Sequence, residues 1–411
     1  MCQQKLLDNC KIMNKDFSSW PSYTLKEIAA VKQVLSSNKV NYWTGDECRK
    51  FEKEFSEYFN SKFAIALANG TVAIDLALKA INIKKGDEVI VTSRTFIASV
   101  SCIVNAGGIP IFADVCLNSQ NFRSHNIEKL ITKKTKAILC VHLAGWPCEM
   151  DNIMKIANNN KLFVIEDCAQ AHGAMYKGRS VGSIGHIGCW SFCQDKIMTT
   201  GGEGGMVTTN SKKLWEKMWS YKDHGKSFYS VYNKKHADGF KWLHESFGTN
   251  WRMTEIQASI GRIQLHKMNH WTKKRNQNQN LIWNSCRSLQ LIRTPKFNEK
   301  SWKFFHEGNV HAAYKCYIFI NKEKLKNGWT RNKIVNEINN LGVPCFSGSC
   351  SEVYLEKAFL KANLRPKNRL KSAKELGETS LCFLVHPNLT KKEIEQTCNS
   401  IITVAKKATK K

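Results

Sequence analysis

From residue 63 to residue 209 the chain alternates short, continuously apolar, β-rich runs with segments whose apolar residues recur at helical spacing. No other feature restricts its fold as much. FAIAL (63–67) precedes NGTVAIDLALKAI, DEVIVT (87–92) precedes TFIASVSCIVNA, and IPIFADV (109–115) precedes a helical pattern near 125–132. AILCVH (137–142) is followed by a helix from Met150, and LFVIED (162–167) leads to the paired runs CWSF (189–192) and MVTT (206–209). Strands that are apolar at every position are buried on both faces, and strands joined through helices run parallel. The expected fold is therefore α/β: a mostly parallel central sheet with helices on both faces.

The character changes after TEIQASIGRIQLHKM, a long helical pattern from 254. A strand-like AYKCYIFI (313–320), a helix in TRNKIVNEINNLG (330–342) and an amphipathic helix over 391–408 predict a smaller α+β domain. The expected division is an N-terminal arm and helix over 1–36, a large domain over 37–270 and a small C-terminal domain over 271–411.

Composition narrows the function classes. With 411 residues, 42% of them hydrophobic, the chain has ample material for a core. No apolar run approaches the ~20 residues of a membrane span, and the opening MCQQKLLDNCKIMNKD has no apolar export region before or after Cys2. A cytoplasmic protein with no membrane partner is expected. Sixteen cysteines include no C-x-x-C pair, and Cys102, Cys140, Cys189, Cys316 and Cys382 sit inside apolar runs, so they read as small core residues and no metal site is expected. The formal charge of +28 is spread over scattered lysines without interleaved aromatics, which argues for solvated faces and no nucleic-acid partner.

In parallel α/β sheets ligands sit at the carboxyl ends of the strands. The run at 63–67 ends in Asn69-Gly70-Thr71, which opens a helix; the backbone N–H groups there suit a phosphate, although Gly-Thr before a helix is more often a simple cap. Phe96 is expected to open the helix after the run 87–92 and is either a core aromatic or a cover for a flat ligand. The run at 162–167 ends in Glu166-Asp167, where an acid could bind a metal, cap a helix or face a cationic heterocycle; Gln170 lies on the same side if the turn is helical. Ser191 precedes Lys196 by five residues, and Lys196 stands between an apolar strand and the glycines 201, 202, 204 and 205. Taken together these are the parts that pyridoxal 5'-phosphate requires: a lysine to hold its aldehyde, a carboxylate to keep its ring nitrogen protonated, an aromatic over the ring and a helix N-terminus for the phosphate. The glycine-rich GRSVGSIGHIG (178–188) neither follows a strand nor opens a helix, and reads as a turn-rich hairpin rather than a dinucleotide site.

The blocks NYWTGDECRKFEKEF, ALANGTVAIDLAL, GDEVIVTSRTFIAS, VHLAGWPCEMD, VIEDCAQAHGA, VGSIGHIGCWSFCQDK, GGEGGMVTTN and FGTNWRMTEIQASIGRIQL resemble the DegT/DnrJ/EryC1/StrS sugar aminotransferases, a branch of the fold-type I pyridoxal phosphate enzymes. The resemblance spans nearly the whole chain. It implies that Lys196 bonds the cofactor and that Asp167 faces its ring nitrogen. It also implies that Gln170 lies near the phenolic oxygen, that Phe96 packs on the ring, and that Gly70, Thr71 and Ser191 contact the phosphate. Asn250, in FGTNWRM, matches a residue that the family inserts into the neighbouring subunit, which implies a homodimer with shared active sites. The implied reaction moves an amino group from glutamate or glutamine to a keto-sugar, preferably a nucleotide-linked keto-deoxysugar for surface polysaccharide. A cyclitol or aminoshikimate-type ring ketone is the alternative acceptor, since KIMTTGGEGG departs from the commoner lysine-asparagine start. A noncatalytic regulator on the same fold would be expected to lose Lys196 or Asp167, and both are present; a nucleic-acid-binding protein would rest on the charge alone.

Overall fold

The computed structural model describes residues 17–295 and 308–410. The first sixteen residues, Cys2 among them, lie outside that range. The strands of the main sheet are β1 (Phe63–Leu67), β2 (Glu88–Thr92), β3 (Ile109–Ala113), β4 (Thr135–Val141) and β5 (Phe163–Asp167). A small hairpin, β6 (Met175–Tyr176) and β7 (Arg179–Ser180), precedes β8 (Ile187–Ser191) and β9 (Gly205–Thr209). The order is β1-β9-β8-β5-β4-β2-β3, seven strands in one sheet. Five of them, β8-β5-β4-β2-β3, run parallel; β9 alone is reversed against both neighbours. The reversal follows from the connection, since β8 and β9 are joined by the lysine–glycine loop without a crossover helix.

Side-chain alternation along each strand explains why the runs are apolar throughout. Val89 and Val91 of β2 and Leu139 and Val141 of β4 enter one core with the helices Gly70–Ala80 and Lys212–Lys222. Ile90, Ile138 and Cys140 point the other way, against Ile153 and Ile156 of the helix Met150–Asn159. Fully burying each such side chain contributes about 1.5–3 kcal/mol, and a strand with two buried faces gains this at every position. At the other end of the sheet, Trp190 and Met206 pack with Phe51 and Phe55 of the helix Glu47–Tyr58. Ala258 and Leu265 of the helix Glu255–Leu265 belong to the same core, and the helix Leu25–Ser36 lies beside that helix.

A second sheet follows: β10 (Ile292–Arg293), β11 (Cys316–Ile320), β12 (Cys345–Phe346) and β13 (Ser380–Phe383), in the order β10-β11-β13-β12. Its core joins Ile318, Ile320, Leu381 and Phe383 to Ile282 of the helix Met268–Ser285, Ile334 and Ile338 of Arg331–Asn340, and Ile394, Ile401 and Val404 of Lys391–Ala408. Most of the described cysteines are buried, and those described are free thiols. Among the described residues no helix is long and apolar enough to cross a membrane.

Candidate active site

The carboxyl ends of β1, β2, β4, β5 and β8 open on one edge of the main sheet. Two of them are brought together by a single glycine: Gly205 of β9 is the register partner of Leu67 on one side and of Ser191 on the other. The turn Asn69-Gly70 therefore lies against the end of β8. A methyl group on Gly70 would stand 2.5 Å from Ser191 Cβ, and one on Gly205 would stand 2.3 Å from the Asn69 carbonyl oxygen. Neither contact is possible for a side chain, so both glycines are required by close approach rather than by flexibility. Asn69 caps the helix that follows, accepting from the Val72 N–H at 3.0 Å. The Ser191 hydroxyl lies beside this helix start, 2.9 Å from the same added methyl position on Gly70. Thr71 is exposed on that turn.

Strand alternation separates the two adjacent acids. Glu166 is fully buried and accepts from His142 Nε2 (3.0 Å) and from the N–H groups of Gly182 (2.8 Å), Ile184 (3.0 Å) and Gly185 (2.5 Å). His142 Nδ1 accepts from the Cys148 N–H at 3.0 Å, so its Nε2 carries the proton. Glu166 is thus occupied in holding the segment 182–185. Asp167 points to the opposite face, 6% exposed, where Oδ2 accepts from Ser99 Oγ (2.7 Å) and Oδ1 from the Ala169 N–H (3.1 Å). Turns rather than a helix follow Asp167, so it is not a helix cap. Burial pushes its carboxyl upward, against the opposing pull of Ser99, Ala169 and the Lys196 ammonium. A buried acid with too little positive charge around it is suited to receive a cation.

Lys196 reaches the same edge from the loop after β8, its side chain 17% exposed and its ammonium 3.4 Å from Asp195 Oδ1. The Tyr314 ring centroid lies 5.2 Å from the ammonium, and the Tyr314 hydroxyl donates to Asp195. From the arm, Trp20 Nε1 donates to the Lys196 carbonyl at 2.8 Å. Phe96 lies just before the helix Ala98–Asn105 instead of opening it, and its ring is 58% exposed. Gln170 is buried, with Oε1 accepting from the Ala144 N–H at 2.8 Å. Asn250 is exposed; its Oδ1 accepts from the Arg252 N–H at 3.4 Å, and no hydrogen bond among the described residues ties it to Gly70, Ser191 or Lys196 of its own chain.

The sequence pattern does not single out Ser99, Asp195, Tyr314 or Trp20. Ser99 was within reach of it, one helical turn after Phe96, and Asp195 adjoins Lys196. Tyr314 and Trp20 come from segments far away in sequence and carried no signal. The donor set fits pyridoxal 5'-phosphate: a glycine-lined anion site, an undercompensated buried carboxylate, a lysine and a bare aromatic face are the four contacts that the molecule needs.

Comparison with known proteins bears on the family and the cofactor. An X-ray structure of an aminotransferase from Psychrobacter cryohalolentis is 60% identical and superposes with a TM-score of 0.93, covering 95% of this chain and 99% of that one. GDP-perosamine synthase of Escherichia coli O157:H7 is 34% identical over 93% of this chain and 96% of its own length. The dTDP-3-amino-3,6-dideoxy-alpha-D-galactopyranose transaminase of Aneurinibacillus thermoaerophilus is 40% identical over 61% of this chain and 65% of its own. Residues 21–402 match a single family, and the chain accordingly belongs to the DegT/DnrJ/EryC1/StrS aminotransferases, enzymes that depend on pyridoxal phosphate.

Proposed function

We propose that this aminotransferase carries an amino group from glutamate or glutamine to the ketone of a nucleotide-linked keto-deoxysugar, in the synthesis of a surface polysaccharide. The observation that carries the reading is the convergence of Lys196, the undercompensated Asp167 and the Gly70–Ser191 cleft on one sheet edge. The nucleotide-sugar substrate is supported by the names of the relatives, one GDP-linked and one dTDP-linked.

In this reading Lys196 would bond the cofactor, and its released amine would take the proton from the substrate carbon that bears nitrogen and return it to the cofactor carbon that receives that nitrogen. Pyridoxal phosphate, when bound, supplies the electron sink that makes this proton acidic. Asp167 holds the ring nitrogen's proton, and Ser99 and the Ala169 N–H fix its carboxylate in place. Phe96 covers the ring and excludes water from one face, Gln170 orients the edge that carries the phenolic oxygen, and Gly70, Thr71 and Ser191 hold the phosphate.

The enzyme works as a homodimer with shared sites, Asn250 completing the phosphate pocket of the other subunit. Support comes from the segment that carries it, which also exposes Phe240, Trp242 and Phe247 (100% exposed). Apolar rings left in water on one segment mark a surface that another protein covers. We place the division between large and small domains near residue 270, at the start of the helix Met268–Ser285.

The test is a substrate screen. Holoenzyme is incubated with glutamate or glutamine and a panel of GDP-, dTDP- and UDP-linked 3-keto and 4-keto sugars together with inososes, read by mass spectrometry. An aminated nucleotide sugar supports the proposal; amination of the inososes alone replaces it with the cyclitol reading.

A further inference from the structure

Lys196 is not the only cation at its edge of the site. Lys315, which immediately follows Tyr314, is partly buried, and its ammonium lies 5.1 Å from the centroid of the same Tyr314 ring that Lys196 approaches to 5.2 Å. The two legs cap the separation of the ammoniums at their sum. Among the described residues the Lys315 ammonium has no hydrogen bond and no ion pair within 4.0 Å. Arg275, 1% exposed, donates from Nη1 to the Tyr314 carbonyl at 3.3 Å, while its Nε and Nη2 have no partner. His386 is buried with both ring nitrogens unpartnered, and burial together with Arg275 and Lys315 presses its pKa down to about 3, so it is neutral.

Three cationic side chains, Lys196, Lys315 and Arg275, therefore feel Asp195, whose side chain is 58% exposed and already engaged by Lys196 and the Tyr314 hydroxyl, while Lys196 also feels Asp167; Lys315 and Arg275 are left with no carboxylate in contact among the described residues. Burial lowers the pKa of both Lys315 and Arg275, and the pull of Asp195 does not restore either. Such a cluster lacks an anion. A half-buried lysine without a partner is costly unless a ligand supplies the missing charge.

We propose that Lys315 is the residue that binds the α-carboxylate of the amino donor, with Arg275 adding to the positive field behind it. This rests on the aminotransferase reading above. The donor's nitrogen must arrive where the Lys196 ammonium now lies, and the α-carboxylate is attached to the carbon that bears that nitrogen. It is the one negative group that every α-amino donor brings into this cluster, whether glutamate or glutamine. Lys315 thus selects an α-amino acid over a simple amine.

The test follows the donor half-reaction of the holoenzyme by the change in cofactor absorbance. Rates are measured against glutamate, glutamine and isoglutamine, the α-amide of glutamate, for the wild type, Lys315→Gln and Lys315→Arg. Lys315→Gln is expected to raise the half-saturating concentration of glutamate and glutamine by roughly ten- to a hundredfold, the loss of one charge-assisted hydrogen bond, with a much smaller change in limiting rate. Lys315→Arg should recover most of that affinity. The wild type should prefer glutamate to isoglutamine by a similar factor, and Lys315→Gln should lose the preference. Half-saturation by the keto-sugar, measured on pre-aminated enzyme, should stay unchanged.

An unaltered donor half-saturation in Lys315→Gln overturns the proposal, as does a loss confined to the keto-sugar, which would assign Lys315 to the acceptor. If Lys315→Gln does not retain cofactor, the wild type decides alone: equal use of glutamate and isoglutamine overturns the subsite. A wild type that responds to no amino donor removes the aminotransferase reading itself, an outcome distinct from all of these.

Discussion

Replacing Asp167 by asparagine separates its chemical role from its structural one. The carboxylate accepts two hydrogen bonds, from Ser99 Oγ and from the Ala169 N–H, and Ser99 Oγ lies 2.8 Å from Thr95 Oγ1. An amide keeps both contacts if its oxygen accepts from Ala169 and its NH2 donates to Ser99, whose own proton then turns to Thr95. No buried group is left unpaired, so the usual penalty of about 1–3 kcal/mol for an unsatisfied partner does not arise. The cofactor-free variant also gains something. Asp167 is raised above its unfolded value, so the folded protein holds its proton more tightly than the unfolded chain, and the charge begins to cost stability as pH rises from the unfolded to the folded pKa. Above that window the wild type carries the full cost and the asparagine variant none. The cofactor-free variant should therefore be no less stable than wild type at pH 7–8, within about 1 kcal/mol.

Chemistry should suffer in the same protein. An opposite charge at contact shifts a pKa by about 1–3 units, each worth about 1.4 kcal/mol, so the ring nitrogen loses roughly 1.4–4 kcal/mol of support for its proton. Turnover should fall about ten- to a thousandfold. Thermal melts with and without cofactor, alongside steady-state rates, measure both halves. Near-normal turnover would refute the assigned role of Asp167. A cofactor-free variant destabilised by more than about 3 kcal/mol would refute the proton-switching network of Thr95, Ser99 and position 167.

Four other outcomes are expected. Borohydride reduction followed by peptide mapping should place a pyridoxyl adduct on Lys196 and nowhere else, and Lys196→Ala should show neither adduct nor turnover. Gly70→Ala should weaken cofactor retention through the 2.5 Å clash with Ser191, while Ser191→Gly in the same chain should restore part of it, measured by cofactor titration. The affinity of the cofactor-free wild type for pyridoxal phosphate should fall as pH drops through the raised Asp167 pKa, because the protonated acid cannot pair with the ring; Asp167→Asn should flatten that dependence. Mixing Lys196→Ala with Asn250→Ala under subunit exchange should recover activity with time, one site of the mixed dimer collecting both defects; confirmed exchange with flat activity would return Asn250 to its own chain.

Local pattern determined most of the large sheet. Runs such as FAIAL and LFVIED have no polar face, which only a strand covered on both sides tolerates. The candidate site residues Gly70, Asp167, Ser191 and Lys196 stand at or just beyond the ends of those runs, where the parallel arrangement places ligands, so they are legible as candidates in the sequence. Sequence also carried the family, through blocks too numerous to coincide by chance. It did not reveal that Glu166 and Asp167 diverge into different tasks. That depends on which face of β5 looks toward the segment 182–185 and which toward Ser99, a matter of how the sheet is covered.

The reversal of β9 was likewise a tertiary outcome. Its apolar run reads the same in either direction, and Gly205 acquires its meaning only where it lies between Leu67 and Ser191. The cluster around Lys196 had the least local signal of all. Trp20, Arg275, Tyr314, Lys315 and His386 come from four separate stretches of chain, and a lysine in a chain of +28 is unremarked until the fold sets it against the same ring as Lys196 with no ion pair of its own among the described residues. Periodicity is a property of neighbours in sequence and can be read there. Charge imbalance is a property of neighbours in space, and only the packing of the arm and the second sheet against the lysine loop creates it.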